Sequence, residues 1–239
     1  MLFYDKVEAL DSQIHGDWTI SPKTNWLFTK KAHVVPLLTE EFAMAQADYI
    51  IAFARDELSD HRVPVALLGL KNEQNLFVTD EGQWQKAAYI PAYVRRFPFA
   101  PGLAEAEAEA EAGAGAEKML LLVETSSGTV GPFGEGEPLF INAQPARALR
   151  QALELVEAYH RQAKITENFC RYLEDLDLLT NVTFETPKDA HRLEGLFVID
   201  EKKFDMVNDE TLLNLFKSGY LTLIYAHLMS LKNTTKYGP

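Results

Sequence analysis

The chain has 239 residues, is 47% hydrophobic and holds one cysteine, so it can bury a substantial core without an internal disulfide or a multi-cysteine metal cluster. Its 23 basic and 35 acidic residues leave a formal charge of −12, a field that repels phosphate backbones, and no dense basic run offers nucleic acid a local footing. The opening MLFYDKVEALDSQ makes a poor signal peptide, and no stretch approaches the roughly 20 apolar residues that cross a bilayer; a cytoplasmic protein is expected, with export by an unrecognised route left open.

Along the chain, HVVPLL suits a short strand or extended arm, since Pro36 cannot donate to a central ladder. Thr39 then precedes EEFAMAQADYIIAFARDEL, where Phe42, Ala45, Tyr49 and Phe53 recur at helical spacing, so a helix capped by Thr39 is predicted. RVPVALLGL and NLFVT read as two strands joined by the turn KNEQ, a hairpin. In WQKAAYIPAYVRRFPF, residues 84 to 99, Pro91 opens a helical turn that Pro98 ends, and Tyr89, Tyr93 and Phe97 fall four apart on one face. Arg95 and Arg96 cannot both share that face, so one of them turns to solvent, a carboxylate or a partner.

Residues 100–117 break the composition. Glutamates alternate with alanines, so like charges repel at the four-residue spacing and no apolar stripe forms; a mobile Ala/Glu/Gly-rich insert is expected. KMLLLVETSSGTV is a strand and turn, and GPFGEGEPLFIN a glycine-rich loop returning through a short strand. From Asn142 a helix carries Leu149, Leu153, Val156 and His160 on one side, and TENFCRYLEDLDLLT makes a second, forming an αα pair against the sheet. VTFET and HRLEGLFVID are strands, and two helices close the chain, one capped by Asn208 or Asp209 and ended by Gly219, the last over Tyr220 to Leu231. The fold class is α+β, a small antiparallel sheet packed with at least four substantial helices, in one compact domain over residues 1–239 or in two closely packed lobes.

No reactive constellation is legible. The six histidines show no pairing at i, i+3 or i, i+4 and no HExxH, so neither a metal site nor a cofactor is expected. His160 and His227 sit in helices with apolar neighbours, and Cys170 falls in an apolar helix stripe. His15, followed by Gly16 and Asp17 in a loop, is the histidine most worth testing as a catalytic group, against the plainer reading of a surface pair oriented by Asp17. GTVGPFGEG lacks the GxxxxGK[ST] pattern, TSSG is not GxSxG, and the carboxylates of DLD and NDE suit helix starts or solvated faces. For Trp84, Tyr89, Tyr93, Arg95, Arg96 and Phe97 two uses stay open. One wedges the rings into the core while an arginine meets an internal acid, the commoner use of such rings; the other presents tyrosine and arginine to a protein partner.

VPVALLGL, NLFVTDEGQWQKAAYIPAYVRRFPF, RLEGLFVIDEKKF and GYLTLIYAHLMSL together resemble the SapC family of soluble bacterial proteins, over most of residues 30 to 232. The resemblance implies no catalytic set. It implies association with surface-layer or peptide-transport functions, and it makes Trp84, Tyr89, Pro91, Tyr93, Arg95, Arg96, Phe97, Pro98 and Phe99 motif positions. The expectation is a noncatalytic accessory protein that binds a protein or peptide, in bacterial surface-protein handling, through Trp84, Tyr89, Tyr93, Arg95, Arg96 and Phe97. The alternative is an enzyme, a hydrolase or oxygenase-associated protein, whose site assembles only in three dimensions.

Overall fold

The computed structural model describes residues 1–22, 25–57, 59–103, 119–132, 134–185 and 192–237. The strands are β1 (Val7–Ala9), β2 (Thr19–Ile20), β3 (Val34–Pro36), β4 (Ile51–Arg55), β5 (Arg62–Leu67), β6 (Phe99–Leu103), β7 (Met119–Glu124), β8 (Val130–Gly131), β9 (Glu137–Pro138), β10 (Phe140–Ile141), β11 (Gln144–Pro145), β12 (Leu179–Glu185) and β13 (Arg192–Ile199). The α-helices are α1 (Phe42–Ala45), α2 (Ala92–Arg95), α3 (Arg147–Asp175), α4 (Glu201–Asp205), α5 (Asp209–Lys217) and α6 (Tyr220–Ser230), with 3-10 segments at Leu27–Thr29, Thr39–Glu41 and Leu231–Tyr237. The strands pair antiparallel throughout these sheets, and the architecture is α+β. The chain divides into two compact units, one of Met1–Thr24 with Arg96–His160 and the other of Asn25–Arg95 with Arg161–Pro239.

The second unit holds a five-stranded sheet of order β12-β13-β4-β5-β3. Its central strand β4 corrects the helix expected over residues 40 to 58: after the turn Thr39–Glu41 the helix lasts only through α1. Phe42, Ala45, Tyr49 and Phe53 are fully buried, but so are Ile50, Ile51 and Ala52 between them. A run buried on every side suits a central strand with both faces covered, and the helical spacing of four of its members is a coincidence of that run. The expected hairpin fails for a related reason. β5 is already paired on one side with β4 and on the other with β3, so NLFVT has no edge of β5 to join; it forms an isolated bridge between Val78 and Trp84 instead of a strand.

The C-terminal segment completes β4. β13 reaches β4 only at Phe53 and Ala54, which leaves the earlier backbone donors of that strand without a neighbour. Side chains replace the missing strand: Ser230 Oγ accepts from Ile51 N (3.0 Å), and the Tyr237 hydroxyl accepts from Ile50 N (3.0 Å) and donates to Leu67 O (2.7 Å). Asn233 Nδ2 donates to Gln46 O and Tyr49 O. His227, fully buried, accepts from Ile199 N through Nε2 (3.0 Å), and burial pushes its imidazole down to about 4.

α3 is one continuous helix, not the expected pair. Nothing in AKITEN breaks it, and the Thr166 hydroxyl, which could have capped a second helix, instead accepts from Thr39 N (3.0 Å). Within the second unit it buries Phe169, Cys170 and Leu173, with Phe169 against Phe42, Phe53 and Tyr220. α5 and α6 follow their local signals: Asn208 Oδ1 accepts from Thr211 N (2.8 Å), and Gly219 sits at φ 79° between the helices.

In the first unit β1, β7 and β6 form one sheet and β8, β2 and β9 another. Their core is Phe99, Leu121, Val123, Val130, Leu139, Leu149 and Val156, with Leu153 packed against it; His160, expected beside them, is exposed. The helix begins at Arg147 and not at Asn142. Asn142 and Ala143 both take positive φ (50° and 58°) in a two-residue turn joining β10 to β11. Of the expected insert, Ala100–Leu103 is the end of β6, paired with β7; residues 104–117 lie outside the described residues.

Candidate functional site

The stretch from Trp84 to Phe99 crosses the division between the units, which falls between Arg95 and Arg96. In the second unit its beginning is pinned by Trp84, 8% exposed, whose indole donates to the Tyr49 hydroxyl (3.3 Å) and whose ring meets Trp26 at 6.0 Å. Ala87 turns the chain at φ 67°. Tyr89 is then fixed through its backbone, with its N–H donating to Asp48 Oδ2 (2.9 Å) and its carbonyl accepting from the Tyr49 hydroxyl. Pro91, with no N–H to lose, opens α2, and its carbonyl accepts from Val94 N and Arg95 N.

Beneath this turn lies Glu41, 3% exposed. Its Oε1 accepts from the Tyr89 hydroxyl (2.8 Å) and from Ala92 N (2.7 Å), and its Oε2 from Leu38 N (2.8 Å). Burial raises the Glu41 carboxyl above its usual range; the bonds from Leu38, Ala92 and Tyr89 and the charge of Arg95 pull the other way without winning. The Tyr89 phenol is pushed up to about 12, first by burial and then by the charge and hydrogen bond of Glu41, so it stays protonated and can donate. Arg95 completes the line: its Nε donates to Ile90 O (3.0 Å), its Nη2 to the Tyr89 hydroxyl (3.2 Å), and its guanidinium carbon lies 5.8 Å from the Tyr89 ring centre. The result is a directed chain of donors, Arg95 to Tyr89 to Glu41, running from an exposed cation to a buried carboxylate.

Arg96 has a different fate. In the first unit it is 5% exposed, with its guanidinium 4.2 Å from the Tyr159 ring centre and 5.8 Å from that of Tyr4. Tyr93 and Phe97 are 6% and 5% exposed. Of the six residues singled out in the sequence, the structure therefore brings Tyr89 and Arg95 together at a half-buried to exposed position and places Trp84, Tyr93, Arg96 and Phe97 in the interior. Glu41, Tyr49 and Asp48, which hold the turn in place, carry no local signal, because each meets Tyr89 only through the fold. Glu41 reads as an ordinary first-turn acid until the strand that follows it is known.

The other expected groups fall elsewhere. His15 is 1% exposed; its Nδ1 accepts from Asp11 N (3.0 Å), its ring meets Trp18 at 4.3 Å, and the carboxylate near its Nε2 is Glu8 at 3.8 Å, in place of the expected Asp17. Ser126 Oγ donates to Glu124 Oε1 (2.5 Å). Glu124, 1% exposed, accepts in addition from the backbone N–H groups of Ser126, Asp5 and Lys6. Burial alone would raise its carboxyl, but these donors hold it below the usual range. Cys170 is buried and its thiol is pushed up, first by burial. Asp177 pairs with Lys203 (2.7 Å), and Asn208 serves as a cap. Among the described residues, no group of three or more histidine, cysteine, aspartate or glutamate side chains is arranged to hold a metal ion, and no helix is long and apolar enough to cross a membrane.

No curated protein matches the chain, and no solved structure does. A family model does match, over residues 10–236, spanning both units and every residue of the Trp84–Phe99 stretch; the chain belongs to the SapC family.

Proposed function

We propose that this chain is a noncatalytic accessory protein that binds a protein or peptide, in the handling of surface proteins, through the face around Tyr89 and Arg95. The observation that supports this most is the posture of Arg95. An exposed arginine ordinarily loses much side-chain entropy when a partner fixes it, whereas Arg95 is already braced by Ile90 O and the Tyr89 hydroxyl. A guanidinium held in one orientation beside a tyrosine ring suits a carboxylate or a peptide carbonyl, since arginine recognises such groups through a planar fork. The support beneath it favours the same use. Glu41 holds Tyr89 and the first residue of α2 with one oxygen, so the turn that carries Arg95 is fixed at its start.

The contact surface thereby narrows to Tyr89 and Arg95, with Trp84, Tyr93, Arg96 and Phe97 shaping the two units from within. The test is recovery of partners from native cell extract on immobilised full-length chain, quantified against Arg95→Ala, Arg95→Lys and Tyr89→Phe. Arg55→Ala, at an arginine exposed on the same unit, serves as control. A partner lost with Arg95→Ala, weakened with Arg95→Lys and kept with Arg55→Ala supports the location. Equal recovery by wild type and Arg95→Ala sinks it.

A further inference from the structure

Exposed large apolar side chains concentrate in one short part of the second unit: Met206, Leu212, Leu213, Phe216, Tyr225 and Met229 are each 40% to 75% exposed. Scattered exposed apolar residues need no explanation, but a concentration on neighbouring helices marks an interaction surface. α5 gives this one its order. Leu215, fully buried, faces the core, and on the opposite side Asp209, Leu213, Phe216 and Lys217 follow one another at i, i+4, i+7 and i+8. The exposed face of α5 therefore runs from acid, through two large apolar groups, to base.

That order is complementary to itself. Leu213 lies midway between Asp209 and Lys217, so a two-fold axis passing beside Leu213 sets two α5 helices antiparallel, apolar against apolar, with Asp209 of each copy opposite Lys217 of the other. The helix dipoles then oppose, and Glu210 in the first turn adds a second acid near the same lysine. An unlike partner gains nothing from this symmetry; a second copy of the chain uses all of it. We infer that α5 is the centre of an isologous interface between two copies of this chain. At nine residues, α5 is only about 13 Å long, too short by itself for an interface of standard size, which fits a small contact. The charge of −12 on each copy works against association, which points to a weak dimer that forms best where salt screens the long-range repulsion.

Sedimentation equilibrium of the full chain in about 150 mM salt, from roughly 1 to 500 µM, reads the association directly. The expected result is a concentration-dependent dimer. Leu213→Glu and Phe216→Glu each raise its dissociation constant by more than about tenfold while circular dichroism and the thermal midpoint stay those of wild type. Lys217→Glu, which sets acid against acid, weakens it by about three- to tenfold, and Asp209→Lys with Glu210→Lys does the same; all three changes together restore it. That restoration is the signature of an antiparallel self-contact. A chain that stays monomeric to 500 µM overturns the inference. So does a dimer that Leu213→Glu and Phe216→Glu leave intact, one that Lys217→Glu alone or Asp209→Lys with Glu210→Lys fails to weaken, or one that the triple reversal does not restore.

Discussion

Arg95 and Arg96 are neighbours in the chain and opposites in the fold. Arg95 is exposed, braced by a carbonyl and a phenol; Arg96 is interior, its guanidinium over the Tyr159 ring and within reach of that of Tyr4. α2, expected to run on to Pro98, ends at Arg95, and the chain turns at Arg96, so the two adjacent arginines are driven to different surroundings; the boundary between the two units falls between them. The lesson is that a dense motif need not be one site. Here the same sixteen residues supply anchors for two units and, at Tyr89 and Arg95, one hydrogen-bonded pair that reaches the surface.

The contrast is sharpest in stability. Arg96→Ala removes a buried guanidinium that lies over the Tyr159 ring and within cation–π reach of Tyr4, and it is expected to cost roughly 3 kcal/mol in chemical denaturation; Arg96→Lys, which lacks the planar face, recovers only part of that. Loss of a few tenths of a kcal/mol at Arg96 would break the comparison.

Next in size are the two buried carboxylates, which behave oppositely. Glu41→Gln turns an amide N–H toward one of three donors that the carboxylate had satisfied, at a cost of about 1–2 kcal/mol. The pH dependence separates it from Glu124. The Glu41 carboxyl is raised in the fold, so its contribution is complete below about pH 4.5 and is lost as pH rises through its folded value. The Glu124 carboxyl is depressed, so its contribution is complete above about 4.5 and is lost as pH falls through its folded value. Subtracting the pH–stability curves of Glu41→Gln and Glu124→Gln from that of wild type should give slopes of opposite sign. His227 adds a third signature: its depressed imidazole contributes stability that is complete above about pH 6.5 and is lost as pH falls toward about 4, at a slope of up to about 1.4 kcal/mol per pH unit, and His227→Gln should remove that slope.

The smallest expected effect is also informative. Arg95→Ala should change stability by less than about 0.5 kcal/mol, because its hydrogen bonds are made at an exposed position where water replaces them. A cost near that of Arg96→Ala would mean that Arg95, too, is a structural residue.

What the sequence disclosed depended on how local the cause was. Asn208 and Gly219 announced the ends of α5 because a cap and a left-handed residue act within a few positions. That Arg95 and Arg96 face different surroundings was also a local matter, since the helix ends between them. By contrast, β4 was hidden: Phe42, Ala45, Tyr49 and Phe53 keep a helical period, and only the pairing of β4 with β5 and β13 decides against it. The fused helix α3 was hidden for a similar reason, since Thr166 has the chemistry of a cap and spends it on Thr39, 127 positions away. Glu41 belongs to this second class. Its bonds to Tyr89 and Ala92 span 48 and 51 positions, so the support of the candidate site became visible only with the fold.

We propose that Arg95 meets a partner while Arg96 does not. A photocrosslinking amino acid placed at Ile90, half-buried beside the Arg95 fork, tests it most directly when the full chain is irradiated in its native extract with and without Arg95→Ala. The expected result is one or a few discrete crosslinked proteins that disappear with Arg95→Ala and persist with Arg55→Ala. The same discrete products with and without Arg95→Ala would contradict it.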